Sequence, residues 1–203
     1  MKKINIKTIL NTEKEVQKDP TYGPEEKLIC TFFNQFPSNT DETIVAAKVA
    51  IVDTTNNTNI SRYKSKISLC DVAKLIVGIK DFDKRVSSGD VKLVEEIARI
   101  SKEKYSINLF SFASKYCCYH NVHVYNRDDY SIFDKIVKEN LPDYCGEKFK
   151  ITMNKIDTWR DKIDYKSFND LIGELLDDNK IAILNRRRAF DHFLWYTNRT
   201  ASK

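Results

Sequence analysis

The chain predicts an all-α protein, and three observations carry that expectation. Helix breakers are rare: 203 residues include only five glycines and four prolines, so little interrupts long helices. Apolar residues recur three and four positions apart in several segments, as one buried face of a helix requires. Short β-branched runs such as Ile51-Val52 exist, but none alternates cleanly in the manner of a half-buried strand.

The elements follow in order. Pro24 suits a first helical turn, where its missing N–H costs nothing, and Glu25 and Glu26 complement the positive helix end. That helix should run to about 36. Asn39-Thr40-Asp41-Glu42 resembles a capping segment before the apolar Ile44, Val45 and Val49. Thr54-Thr55-Asn56-Asn57-Thr58-Asn59 then breaks the chain. Over 60–77, Ile60, Tyr63, Ile67, Cys70, Val72, Leu75 and Ile76 approximate one helical stripe. Ser88-Gly89-Asp90 leads into another, built from Val91, Leu93, Val94, Ile97, Ala98 and Ile100. Further helices are expected over about 111–119, over 134–141 with Pro142 as the stop, over 168–176 and over 189–196. No repeat, low-complexity segment or linker divides the chain. It is expected to form a single helical domain over 1–203, or two lobes with about 40–145 as one and the terminal segments as the other.

Composition narrows the function class. Hydrophobic content of 41% beside 31% charged residues fits a soluble globular protein rather than a disordered or membrane one. No apolar run approaches the roughly 18–20 residues that span a bilayer. The segment Met1-Lys2-Lys3-Ile4-Asn5-Ile6-Lys7 lacks the apolar core of a signal peptide, so a cytoplasmic location is expected. A net charge of +5 permits nucleic-acid binding without demanding it. Cys30, Cys70, Cys117, Cys118 and Cys145 form no even disulfide framework and contain no C-x-x-C, so reduced thiols are expected and no metal or other cofactor is. His120 and His123 lie near Cys117 and Cys118, but the helix is expected to end near Asn121, which leaves too few convergent ligands.

The chemistry-bearing stretch is Leu109-Phe110-Ser111-Phe112-Ala113-Ser114-Lys115, followed by Ile132-Phe133-Asp134. It resembles the helix-hairpin-helix DNA glycosylases, in particular the 8-oxoguanine DNA glycosylases. Leu109 to Lys115 can be laid over their signature Leu-Pro-Gly-Val-Gly-x-Lys, matching at the first and last positions. Lys115 falls on the Schiff-base lysine of the bifunctional enzymes. Asp134, nineteen positions on, falls on their catalytic aspartate. Upstream, Asn57-Thr58-Asn59-Ile60-Ser61-Arg62 is similar to the asparagine-rich turn and arginine that fill the gap left by a flipped base. Ser111 to Cys117 is also similar to segments of bacterial proteins described as having this fold. The resemblance spans roughly residues 40–145. It implies a helix-hairpin-helix glycosylase-like bundle acting as a monomer on double-stranded DNA.

The resemblance also implies a mechanism. A damaged purine is flipped into a pocket, Lys115 attacks C1′ as the base leaves, and Asp134 stabilises the cationic sugar. The resulting Schiff base undergoes β-elimination and nicks the strand. Asn57, Asn59 and Arg62 would contact the orphaned base. Ser111 and Ala113, in the place of the hairpin glycines, would approach a phosphate. Apart from the resemblance, the basic cluster Arg186-Arg187-Arg188 offers Arg186 and Arg187 as further phosphate contacts. The departures bear on the hairpin: both glycines and the proline are replaced, and a residue with a Cβ is strained at positive φ.

Each residue also has a plain structural role available. Lys115 reads equally as a solvated helix lysine and Asp134 as a helix cap. The Asn-rich stretch reads as a turn whose side chains bond their own backbone. Tyr116, Tyr119, Tyr125, Tyr130 and Phe133 read as core, with at most one facing a base. Asp191 and His192 are flanked by packing residues. Two other function classes therefore stay open: a non-catalytic DNA-binding or phage-defence module of the same fold, and a helical protein–protein interaction domain. An enzyme requires Lys115 and Asp134 to face each other in a cleft wide enough for a base, with the lysine shielded from water.

Overall fold

The computed structural model describes residues 2–63 and 65–201, with side chains described up to 198. Among them are eleven α-helices and no strand: α1 (Ile6–Lys18), α2 (Tyr22–Gln35), α3 (Glu42–Asn56), α4 (Leu69–Val77), α5 (Phe82–Ser87), α6 (Lys92–Tyr105), α7 (Phe110–Tyr125), α8 (Lys135–Phe149), α9 (Met153–Lys162), α10 (Tyr165–Asp178) and α11 (Arg186–Ala201). The all-α expectation holds.

Most helix starts are fixed by one short polar side chain that satisfies otherwise orphaned N–H groups. Asn5 accepts from Thr8 N at α1, and Asp41 from Thr43 N and Ile44 N at α3. Ser68 and Asp71 form a reciprocal capping box at α4. Asp134, Thr152 and Asp164 cap α8, α9 and α10. Many ends are left-handed residues: Asn57 after α3, Ser106 after α6 and Asn126 after α7.

Helix α7 is the axis of the molecule. Its residues Phe110, Phe112 to Val122 are all buried, so it has no apolar stripe and is packed on every side. Helices α2, α3, α5 and α6 pack around it, α4 lies against α3, and α1 runs along α11, which also packs on α8. One continuous apolar cluster joins residues from Ile4 to Leu194.

The structure departs from the expected elements in four places. The stripe over 60–77 is split into a 3-10 turn, Ile60–Tyr63, and α4. Asp53 captures Ile60 N and Ser61 N, and the box at Ser68 starts a new helix. Pro142 does not stop α8; the break falls at Gly146 (φ 60°, ψ −170°), a conformation only glycine adopts freely. Helix α7 extends through His123 to Tyr125 rather than ending near 121. Helices α1, α5 and α9 were not expected, though Ile9, Thr12 and Val16 form a buried i, i+3, i+7 stripe in α1.

Candidate active site

Lys115 lies in the second turn of α7, five residues after its start, on a face turned toward α3. The whole residue is only 5% exposed. Its Nζ donates to the carbonyl oxygen of Asn56 at 3.2 Å and lies 3.5 Å from Oδ2 of Asp134. Asp134 is held by its other oxygen, which accepts Val137 N at 2.9 Å as the cap of α8, and its side chain keeps 20% of its exposure. The carboxylate therefore has a structural bond and a free edge toward the amine.

The segment between α7 and α8 has no strand partner, so side chains must satisfy its backbone. Ser114 Oγ accepts Phe133 N, while Tyr165 OH and Asn169 Oδ1 both accept Ser131 N. Tyr165 OH in turn donates to Ser131 O at 2.8 Å. These bonds fix the approach of Asp134 to Lys115 from within the core.

A recess of about 790 Å³ opens in front of the pair. The turn 54–59 forms one wall and Tyr22 with Trp195 another, and Asp191 reaches in from α11. Tyr22 and Trp195 lie 4.7 Å apart between ring centroids, tilted by 34°. Burial pushes the Asp191 carboxyl up to about 6; the charge of Asp134 adds to that rise and Arg188 opposes it. Arg188, buried in the middle of this wall, bonds Asp191, Glu26 and Tyr22 and lies over the Tyr119 ring at 4.8 Å. With carboxylates on two sides, its guanidinium is held charged despite burial. The same pairing holds Glu26 well below the ordinary carboxylate range, against the upward push of burial.

The other expected contact residues are distributed unevenly. Asn57 and Asn59 line the recess, both left-handed (φ 49° and 63°), and the turn is built on Asp53, which also accepts from Thr58 Oγ1. Arg62 is exposed on the neighbouring 3-10 turn. Ser111 lines the recess from the first turn of α7. Ala113 does not fit its expected place: it is helical and 0% exposed, so it reaches no phosphate. The connection between α6 and α7 is made by 106–109, ahead of the residues expected to form it.

Arg187 is also turned inward. It donates to Ser131 Oγ at 3.0 Å and Asn169 O at 2.8 Å, in the space left by the missing Cβ of Gly173. It is half-buried and braces the segment that carries Asp134. Arg186 pairs with Asp177 at the edge of the fold. The backbone of this arginine run is capped by Asp128, whose carboxylate accepts Arg187 N and Arg188 N. Of the aromatic group, Tyr116, Tyr119, Tyr130 and Phe133 are buried and line no part of the recess, in keeping with their reading as core. The rings that do line it, Tyr22 and Trp195, come from the two ends of the chain. Asp191 and Trp195, four apart on one helix face, were the available signal.

All five cysteines are free, with Cys117, Cys118 and Cys145 buried and Cys70 exposed. Burial pushes the Cys117 and Cys118 thiols far up, which makes them poor ligands and nucleophiles. Among the described residues no group of three or more His, Cys, Asp or Glu could hold a metal ion, and no helix is long and apolar enough to cross a membrane.

Residues 5–129, more than half of the chain, match the family described as the HI_0787_N N-terminal domain. The chain belongs to that family. An uncharacterized protein of Haemophilus influenzae is 33% identical over 132 residues, covering 61% of this chain and 54% of its own length. The chain thus spans about half of the curated relative it matches. No solved structure matches it. The family segment carries Tyr22, the turn 54–59 and Lys115, whereas Asp134, Asp191 and Trp195 lie beyond it.

Proposed function

We propose that this protein is a helix-hairpin-helix DNA glycosylase and abasic-site lyase that removes a damaged, 8-oxoguanine-like purine from double-stranded DNA through a Schiff base on Lys115. The observation that carries the proposal is the meeting of Lys115 and Asp134, 3.5 Å apart, at a recess of about 790 Å³ with a lysine almost wholly shielded from water. That volume falls within the roughly 300–1,000 Å³ of small-molecule sites. The α6–α7 pair joined by a short connection, with Lys115 early on the second helix, agrees with such a fold.

In this mechanism the everted base enters between the Tyr22–Trp195 wall and the turn 54–59. The Lys115 amine forms a bond to C1′ as the glycosidic bond breaks and its electron pair leaves with the base. Asp134 stands where it can take the proton of the amine and stabilise positive charge on the sugar. Asp134 then returns that proton to the ring oxygen as the C1′–O4′ bond breaks, which opens the sugar and leaves an iminium at C1′; the iminium loses a C2′ proton, and the 3′ C–O bond breaks with its electron pair leaving on the phosphate. Asn57 and Asn59, at the rim, are placed to face the strand from which the base has gone.

The experiment is borohydride trapping on a panel of lesion-bearing duplexes. An adduct is expected with the wild type and with Lys104→Gln, which alters an exposed lysine on α6, and none with Lys115→Gln. One observation favours a second reading, a DNA-binding or phage-defence module without chemistry. Both groups already have structural partners, Asp134 as the cap of α8 and Lys115 on Asn56 O. Duplex binding with no adduct on any lesion would select that reading.

A further inference from the structure

The amine of Lys115 is aimed by a contact that the resemblance did not include. Its acceptor is the backbone carbonyl of Asn56, the last residue of α3, immediately before left-handed Asn57. A carbonyl at a helix end has no intrahelical partner, so its direction depends on what holds the final turn. Here the hold is a side chain: Asn56 Oδ1 accepts from Tyr119 OH at 2.5 Å, while Asn56 Nδ2 donates to Thr55 Oγ1 at 2.7 Å. Tyr119 sits one turn after Lys115 on α7, is almost wholly buried, and is clamped under Arg188. Its hydroxyl keeps its proton, because burial raises it well above the ordinary phenol value, and it therefore acts as the donor in this bond.

We propose that Tyr119 is a positioning residue: by tethering Asn56 it fixes the carbonyl that holds the Lys115 amine beside Asp134. This rests on the Schiff-base reading of Lys115. The loop is short and closed, running from Lys115 Nζ to Asn56 O, through the Asn56 side chain to Tyr119, and back along one turn of α7 to Lys115. Tyr119 touches neither the recess nor a bound base, so its action is on aim alone. The turn that presents Asn57 and Asn59 is anchored at the same point, so pressure from a DNA strand on that turn is transmitted to the carbonyl that holds the amine.

The test pairs two readouts on Tyr119→Phe, Asn56→Ala and the double variant. The first is the rate of borohydride-trapped adduct on a duplex carrying an abasic site, measured with the dissociation constant. A mis-aimed amine should slow trapping by about 10-fold in each single variant, with affinity unchanged in Tyr119→Phe, whose side chain lines no part of the recess. Because both substitutions remove the Tyr119–Asn56 bond, and Asn56→Ala the Thr55 bond as well, the double variant should be no slower than the slower single. The second readout needs no DNA: reductive alkylation by glycolaldehyde and cyanoborohydride, read by peptide mass at Lys115. Loss of the tether should raise Lys115 labelling about 3-fold, the scale of one hydrogen bond, while fully buried Lys48 stays unlabelled. Unchanged Lys115 labelling in Tyr119→Phe overturns the proposal, as does labelling that rises at Lys48 too, since that marks a loosened core. Multiplicative slowing in the double variant overturns it as well. A wild type that forms no adduct defeats the glycosylase reading alone, and the labelling then decides the positioning role.

Discussion

Replacing Asp191 by Asn should make the protein's stability less sensitive to pH between 4 and 7. The Asp191 side chain is 12% exposed and sits against Arg188 at the back of the recess, with Asp134 close enough to repel it. Burial is the main cause that takes its carboxyl from 3.8 to about 6. A carboxyl with a higher value folded than unfolded binds more protons in the folded state over that interval. Its contribution is therefore full below about pH 4 and is lost as the pH rises through 6. About two pH units at about 1.4 kcal/mol each amount to about 3 kcal/mol. Asn cannot titrate, so the variant keeps what the wild type loses. Urea unfolding at pH 4, 5, 6 and 7 should show the stability of Asp191→Asn relative to wild type rising by about 3 kcal/mol across the series, on top of whatever constant cost the substitution carries. A difference that stays level from pH 4 to 7 would refute the argument that this carboxylate is held at a desolvated, like-charged position.

Two further substitutions test the scaffold around the site. Asp53→Ala removes the acceptor for Ile60 N, Ser61 N and Thr58 Oγ1; it should cost about 3 kcal/mol and speed amide exchange at Ile60 and Ser61 first. His120 is pushed down to about 3 by burial, with the Lys48 charge adding to the effect. Its folded value lies below the unfolded 6.5, so the stability it supports is present above 6.5 and lost as the pH falls. Between pH 6.5 and 4 the wild type should lose about 3 kcal/mol more than His120→Gln, read from the same urea titrations.

The sequence made the helical class legible because the signals are local. Stripes such as Leu93, Val94, Ile97 and Ala98 survive as the buried face of α6, and Asp41 is a cap in both sequence and structure. Lys115 and Asp134 were also legible, as a matched pair at a fixed separation, and they do meet. The misses have a different physical origin. Nothing local announces that Arg187 turns inward, because its partners, Ser131 and Asn169, depend on how α10 packs beside the 128–133 segment. Ala113 was placed at a phosphate by analogy with a glycine hairpin, but α7 begins at Phe110 and winds Ala113 into the core. Tyr22 and Trp195 are separated by most of the chain, and only the packing of α11 beside the start of α2 brings them together. The family resemblance pointed to Lys115 and Asp134, whereas tertiary packing made the walls around them.

Two lysines are buried, and burial by itself would favour Lys48 over Lys115, the residue proposed to react. Lys48 is 0% exposed, and desolvation pushes it down to about 8, so it is readily deprotonated. Its Nζ contacts Ser38 O, Asn39 Oδ1 and His120 Nε2, and Asp83 supplies a nearby counter-charge. A neutral amine is necessary for attack on a sugar carbon, but it must also have somewhere to attack from. Lys48 is closed in by Asn39 and the His120 ring, which the carbon of a nucleotide would have to displace to reach it. Lys115 makes one hydrogen bond and one longer ion pair, and it faces about 790 Å³ of open space. The two sit on different faces of the same assembly: α7 sends Tyr116 and His120 toward Lys48 and Asn39, and Lys115 and Tyr119 toward Asn56. Access, more than desolvation, is what makes Lys115 the residue on which the chemistry should be sought.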